Sequence, residues 1–159
     1  MAIDKVREYL KHWNKDKDII ELDTSSATVA LAAQALDTQE GCIAKTISLH
    51  LDNGCVLVVT AGDTKIDNKK FREQFGCKAK LLTPEEALDF TGHAVGGICP
   101  FAIERNDVKI VLDVSLKRFD TVYPACGSSN SAIRLTLAEL EEISRSDSWV
   151  DVCKLSVMK

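Results

Sequence analysis

Lys45 is the residue in this chain whose setting most suggests chemistry. It sits in "CIAKTISLHL" (42–51), a stretch that alternates as a strand does, with successive side chains on opposite faces. Ile43, Ile47, Leu49 and Leu51 share one side, and Lys45 falls among them, while Thr46, Ser48 and His50 take the other. An amine in an apolar row has two explanations. It snorkels at a sheet edge, with its stem on apolar neighbours and its charge in water. Alternatively the row lines a pocket, and the ammonium meets an anionic or carbonyl group of a ligand in a setting that lowers its pKa.

Two loops offer further chemistry. In "GGICP" (96–100), adjacent glycines let backbone amides approach a ligand, and Pro100 biases Cys99 towards extended geometry. Taken alone, this pattern also describes a plain turn. In "CGSSN" (126–130), Gly127 permits a tight bend, and Ser128, Ser129 and Asn130 supply short polar groups, which a solvated hairpin turn would also use. Cys99 or Cys126 could act as a nucleophile with His93 as base, or could be structural thiols. His12, His50 and His93 lie on unrelated segments, which argues against a metal triad. Lys65, Lys69, Lys70, Arg72, Lys78 and Lys80 form a modest basic cluster, either a solvated face or a contact for RNA backbone.

Composition narrows the classes. A chain of 159 residues fits one domain, 1–159, with a full hydrophobic core. A net charge of −4 and a pI near 5.4 argue against a DNA- or duplex-coating protein, though not against a local basic patch. No apolar run approaches a membrane span, and the charged start "MAIDKVREYLKHW" does not resemble a secretory signal. The expected location is the cytoplasm. The six cysteines, at 42, 55, 77, 99, 126 and 153, form no CxxC pair and are expected to be reduced thiols.

The elements that must position these groups alternate between helix and strand. Apolar spacing predicts a helix over 2–13 and a short strand at 18–22. A helix capped by Ser25 or Ser26 follows; it is apolar nearly all round and so expected to be buried. "DNG" (52–54) predicts a hairpin joining the Lys45 strand to a central strand at 55–61. Helices are expected over 67–76, ending at Gly76, and after Thr83–Pro84, ending at Gly92. "KAKLL", 108–113, two segments around "CGSSN" and "WVDVCKL" read as strands, with a helix capped by Thr136 before the last. The tight hairpin favours an α+β fold with a mixed sheet.

In this order the segments resemble the YbaK family, related to the editing domain of bacterial prolyl-tRNA synthetases. The stretches that carry the resemblance are "SSATVALAAQALDTQEGCIAKTISL", "VLVVTAGDTKID", "KAKLLTPEEALDFTGHAVGGICPFAI" and "VYPACGSSNSAIRLTLAEL", together most of residues 22–140. The resemblance implies a mixed, partly barrel-like sheet with surrounding helices. It implies hydrolysis of the ester that joins a wrong, small amino acid to tRNA, typically tRNA(Pro), without metal or other cofactor. The partners it implies are the tRNA acceptor end and prolyl-tRNA synthetase. Lys45 matches the family's functional lysine, Gly96, Gly97 and Pro100 its pocket loop, and Gly127 its later pocket turn. Many relatives carry a basic residue and a further glycine where this chain has Ser128 to Asn130. The expected catalytic residues are therefore Lys45, Gly96 and Gly97. Substrate contacts are expected from Ile47, Cys99, Pro100, Cys126, Gly127, Ser128 and Asn130. The rival readings are a module that binds aminoacyl-tRNA or a synthetase without hydrolysis, and a cysteine-dependent hydrolase.

Overall fold

The computed structural model describes residues 2–156. Helix α1 (Ala2–Leu10) continues as a 3₁₀ turn, Lys11–Trp13, and stops where Asn14 turns left-handed at φ 57°. Strand β1 (Ile20–Glu21) and helix α2 (Val29–Leu36) precede the hairpin of β2 (Ile43–Leu51) and β3 (Gly54–Ala61). Then come β4 (Thr64–Ile66), α3 (Asn68–Phe75) and α4 (Pro84–Thr91). After β5 (Val108–Asp113) and β6 (Thr121–Pro124), the strands β7 (Ser131–Ala132) and β8 (Leu135–Thr136) lead into α5 (Leu137–Ser144). The described chain ends with β9 (Ser148–Val150) and β10 (Cys153–Leu155).

The sheet has six strands in the order β8-β6-β2-β3-β5-β9 and curls into a half-barrel. It is mixed, as the hairpin suggested: β2 and β3 are antiparallel, whereas β6 runs parallel to β2, and β5 parallel to both β3 and β9. β3 is the central strand. Its Val59 and Ala61 enter a core with Val6, Leu10, Phe101 and Leu140; its Val56 and Val58 enter a second core with Phe71, Val111 and Val152. Among the described residues no helix is long and apolar enough to cross a membrane.

Helix ends follow local chemistry. Thr83 and Thr136 form reciprocal capping boxes with Glu86 and Glu139, and Gly76 and Gly92 close α3 and α4 in the left-handed region. Four expectations need correction. The cap of α2 is Thr28, whose hydroxyl accepts from the Leu31 amide at 3.2 Å; the Ser25 and Ser26 hydroxyls instead donate to the Ser129 carbonyl. That helix is not buried all round: Ala32 and Ala33 are inside, but Leu31 is 45% exposed. "KAKLL" forms no strand, only a bridge from Leu81 to Leu49, and "WVDVCKL" splits into β9 and β10 in different sheets. The split occurs where the Val152 amide turns to the buried Asp113 carboxylate at 2.9 Å.

This arrangement explains the lysine in the apolar row. Ile43 is covered by α2, through Val29, Ala32, Ala33 and Leu36. Ile47, Leu49 and Leu51 are covered by the core around Phe71 of α3. Lys45 falls in the gap between the two covers. The outer edge of β2 is open at the same place. β6 pairs only with Ile43 and Ala44, and the 80–82 segment joins β2 from Ser48 onwards.

Candidate active site

A cavity of about 190 Å³ occupies that gap. Lys45 is the one charged residue lining it among the described residues, and Gly96 lines it too. The apolar wall comes from α2 and from Ile43, Val95 and Ile98, and the polar positions are Ser26, Thr28, Thr46, Tyr123 and Ser131. The volume lies below the roughly 300–1,000 Å³ of sites that take drug-sized ligands. It suits a small group better than a whole nucleoside.

Lys45 is half-buried, and burial lowers its pKa from the ordinary lysine value; Cys153 and Asp63 oppose that shift. Its Nζ donates to the Thr64 carbonyl, which engages one of three N–H groups. Thr64 is itself held by a polar network. Thr60, directly across from Lys45 in the hairpin, contacts the Thr64 hydroxyl at 2.6 Å and Ser115 at 3.1 Å. Asp63, one residue before, takes a two-pronged bond from Arg118 at 2.6 and 3.0 Å, which holds its carboxyl below the usual range.

The glycine loop is anchored differently at each position. Gly96 has φ 98°, the region that favours glycine. The amides of Gly96 and Ile98 have no hydrogen-bond partner among the described residues, so both remain donors beside the cavity. The Gly97 amide is engaged by the Ala94 carbonyl at 3.0 Å. Gly97 is buried, and a Cβ there would lie 2.6 Å from the Ser128 nitrogen and 2.7 Å from the Gly127 carbonyl carbon. The 96–100 loop and the 126–130 turn thus touch backbone to backbone at this glycine.

The other expected substrate residues do not line the cavity. Ile47 packs towards Phe71 in the second core. Cys99, Cys126 and Pro100 are buried, the two cysteines within the main core. The Ser128 hydroxyl bonds Asn130 Oδ1 at 2.9 Å and Ser131 Oγ at 2.7 Å, and Asn130 Nδ2 donates to the Leu22 carbonyl at 3.0 Å. Gly127 lies against the Ala2–Ile3 backbone. Of this region Ser131 and Ala132 do line the cavity. Sequence reasoning missed Ser26, Thr28, Tyr123 and Ser131, which are far apart in the chain and carry no local signal. It also passed over Thr46, which borders the cavity and whose own hydroxyl is buried without a hydrogen-bond partner among the described residues. An unpartnered buried hydroxyl is uncommon.

Cys99 and His93 do meet, at 3.5 Å, but not as nucleophile and base. The facing nitrogen, Nε2, lies 2.8 Å from the Phe101 carbonyl, which can only accept, so that nitrogen carries the proton. It therefore cannot take one from the thiol. Burial pushes the Cys99 thiol up to about 12 and Cys126 well above its ordinary value. A Cys99→Ala variant is expected to keep its activity within about threefold once corrected for folded fraction. A hundredfold loss in the folded protein would make the thiol a participant.

A family model for the aminoacyl-tRNA editing domain matches residues 23–143. YwhH, an uncharacterized protein of Bacillus subtilis (strain 168), is 51% identical over 155 residues, 97% of this chain and 98% of its own length. The proline–tRNA ligase of Halalkalibacterium halodurans is 28% identical over 127 residues, which are 77% of this chain but 22% of the ligase. Among solved structures, one described as a candidate trans-editing enzyme for prolyl tRNA synthetase superposes with a TM-score of 0.86. Its sequence is 26% identical, with 96% of this chain and 97% of that one covered. The chain belongs to the aminoacyl-tRNA editing domain family.

Proposed function

We propose that this protein hydrolyses the ester of mischarged aminoacyl-tRNA in trans, with tRNA(Pro) carrying a small wrong amino acid as the substrate. The observation that carries this reading is the small cavity bounded by one ammonium, the Gly96 loop and apolar walls. The aminoacyl group enters the cavity, and the terminal adenosine stays at its mouth. Lys45 faces the ester carbonyl or the terminal phosphate, and a positive charge in a water-poor site acts more strongly than one in bulk water. The Gly96 and Ile98 amides supply hydrogen bonds to the developing oxyanion. Water attacks the carbonyl carbon, the bond to the ribose oxygen breaks, and that oxygen takes a proton; a neighbouring ribose hydroxyl of the tRNA assists. No step is routed through a metal or cofactor.

Selection is by size. A hydrophobic wall separates amino acids that differ by one methylene by only about 1–3 kcal/mol, so several small residues are expected to be cleared at different rates. Alanine, cysteine, serine and 2-aminobutyrate are the candidates. Incubating the pure protein with a panel of aminoacyl-tRNAs tests the reading. We expect release of at least one small amino acid from tRNA(Pro), with larger ones retained. Binding of the panel without release of any amino acid would favour a non-catalytic module.

A further inference from the structure

The basic residues grouped by the sequence take no part in the cavity. We propose that α3, the 78–80 segment and the β4–β10 edge form the docking face for the phosphate backbone of the tRNA. This inference rests on the reading above. Lys69, Arg72 and Lys78 line one surface depression. Lys65 and Lys154 stand directly opposite each other in the antiparallel β4–β10 pair, both exposed, where like charges repel. No carboxylate lies within ion-pair distance of Lys65, Lys69, Arg72, Lys78, Lys80 or Lys154 among the described residues.

Three acids share the surface. Asp67 accepts from the Lys69 and Lys70 amides at the start of α3 and interacts electrostatically with Lys154 and Lys70, and Asp151 pairs with Lys70 at 3.0 Å. Glu73 is the remaining acid in the depression. Cations outnumber acids on this surface, which in a protein of net charge −4 makes it a local anion site.

Its position connects it to the cavity. The His50 amide donates to the Lys80 carbonyl at 2.8 Å, and the Leu82 amide to the Ser48 carbonyl at 3.1 Å. The basic segment therefore runs beside the strand that carries Thr46 and Lys45, about 13 Å from Thr46 at strand spacing. A strand whose 3′ end sits in the cavity can follow the β2 edge onto this face. Exposed lysines favour RNA over a protein partner, because lysine is depleted from protein interfaces whereas Lys and Arg are regular donors to nucleic-acid phosphates.

Anisotropy of labelled, uncharged tRNA(Pro), titrated at several salt concentrations, tests this face apart from the chemistry, since no ester is present. The K69A/R72A/K78A variant is expected to bind at least tenfold more weakly at 0.1 M salt. Its log K against log[salt] slope should be shallower by about 3. The charge-preserving K69R/R72K/K78R variant is expected to bind like wild type. Equal affinity and slope for the alanine variant, or no measurable binding by wild type, would overturn the proposal. So would loss of binding to prolyl-tRNA synthetase with tRNA binding intact. Patch-dependent tRNA binding by a protein that releases no amino acid would instead defeat the editing reading and leave this face in place.

Discussion

Replacing Lys45 with alanine is expected to lower single-turnover deacylation by about 10²–10³-fold, the effect of removing one preorganised charge or donor from a developing oxyanion. The fold should survive. Lys45 sits between two hydrophobic covers rather than within either, and its loss leaves only the Thr64 carbonyl short of a side-chain donor. Losing such a bond costs about 1 kcal/mol, offset in part by no longer desolvating an ammonium. Lys45→Met separates the two effects, because it keeps the apolar stem and removes the charge. It should be as inactive as the alanine variant and at least as stable near neutral pH.

The sign of the pH dependence follows from burial. Desolvation lowers the Lys45 pKa, so the charged form weighs against folding below that pKa, and the penalty fades as pH rises through it. Activity that needs the ammonium should fall over the same window, below the 10.5 of an ordinary lysine. After subtraction of base-catalysed ester loss, the rate profile of wild type should show this descending limb, and that of Lys45→Met should not.

The second large effect is expected at Gly97. A methyl group there would lie 2.6–2.8 Å from backbone atoms of Gly127 and Ser128, which cannot swing aside as a side chain can. Gly97→Ala should cost about 1–3 kcal/mol by forcing the two loops apart, and lower Tm by several degrees. Because Gly96 is the adjacent residue, the displacement should also reduce deacylation in the protein that remains folded. Gly76→Ala is the comparison. Gly76 has open space around it and only a left-handed φ of 73°, so alanine there should cost about 1 kcal/mol and leave activity alone. Thermal melts and rates on both variants check the contrast.

Much of the frame was legible in the sequence because its signals are local. Thr83, Pro84 and Gly92 bracket α4, Thr136 opens α5, and Asp52–Asn53, closed by the Leu51–Gly54 pair, turns the β2–β3 hairpin. Failures came where a distant partner decided the outcome. Ser25 and Ser26 are competent caps, but the Ser129 carbonyl takes their hydroxyls, so the cap falls to Thr28 and α2 begins at Val29. β4 has three residues and exists because β10 pairs with it, a contact with no local signature. The site divides the same way. Lys45 stood out because it breaks an alternation, and Gly96 because it belongs to a glycine pair. Tyr123 and Ser131 did not, since only the curl of the sheet brings them beside α2. Cys99, Cys126 and Asn130 were visible as reactive or polar types, but tertiary packing puts the two cysteines in the main core and commits the Asn130 amide to the Leu22 carbonyl.

A complex with a non-hydrolysable 3′-aminoacylamino analogue of the terminal adenosine of tRNA tests the central claim most directly. The account predicts the aminoacyl group inside the cavity, its carbonyl oxygen within hydrogen-bonding distance of the Gly96 or Ile98 amide, and Lys45 Nζ on that oxygen or the adjacent phosphate. An aminoacyl group bound elsewhere, with Lys45 still turned to Thr64 and the cavity empty, would contradict it.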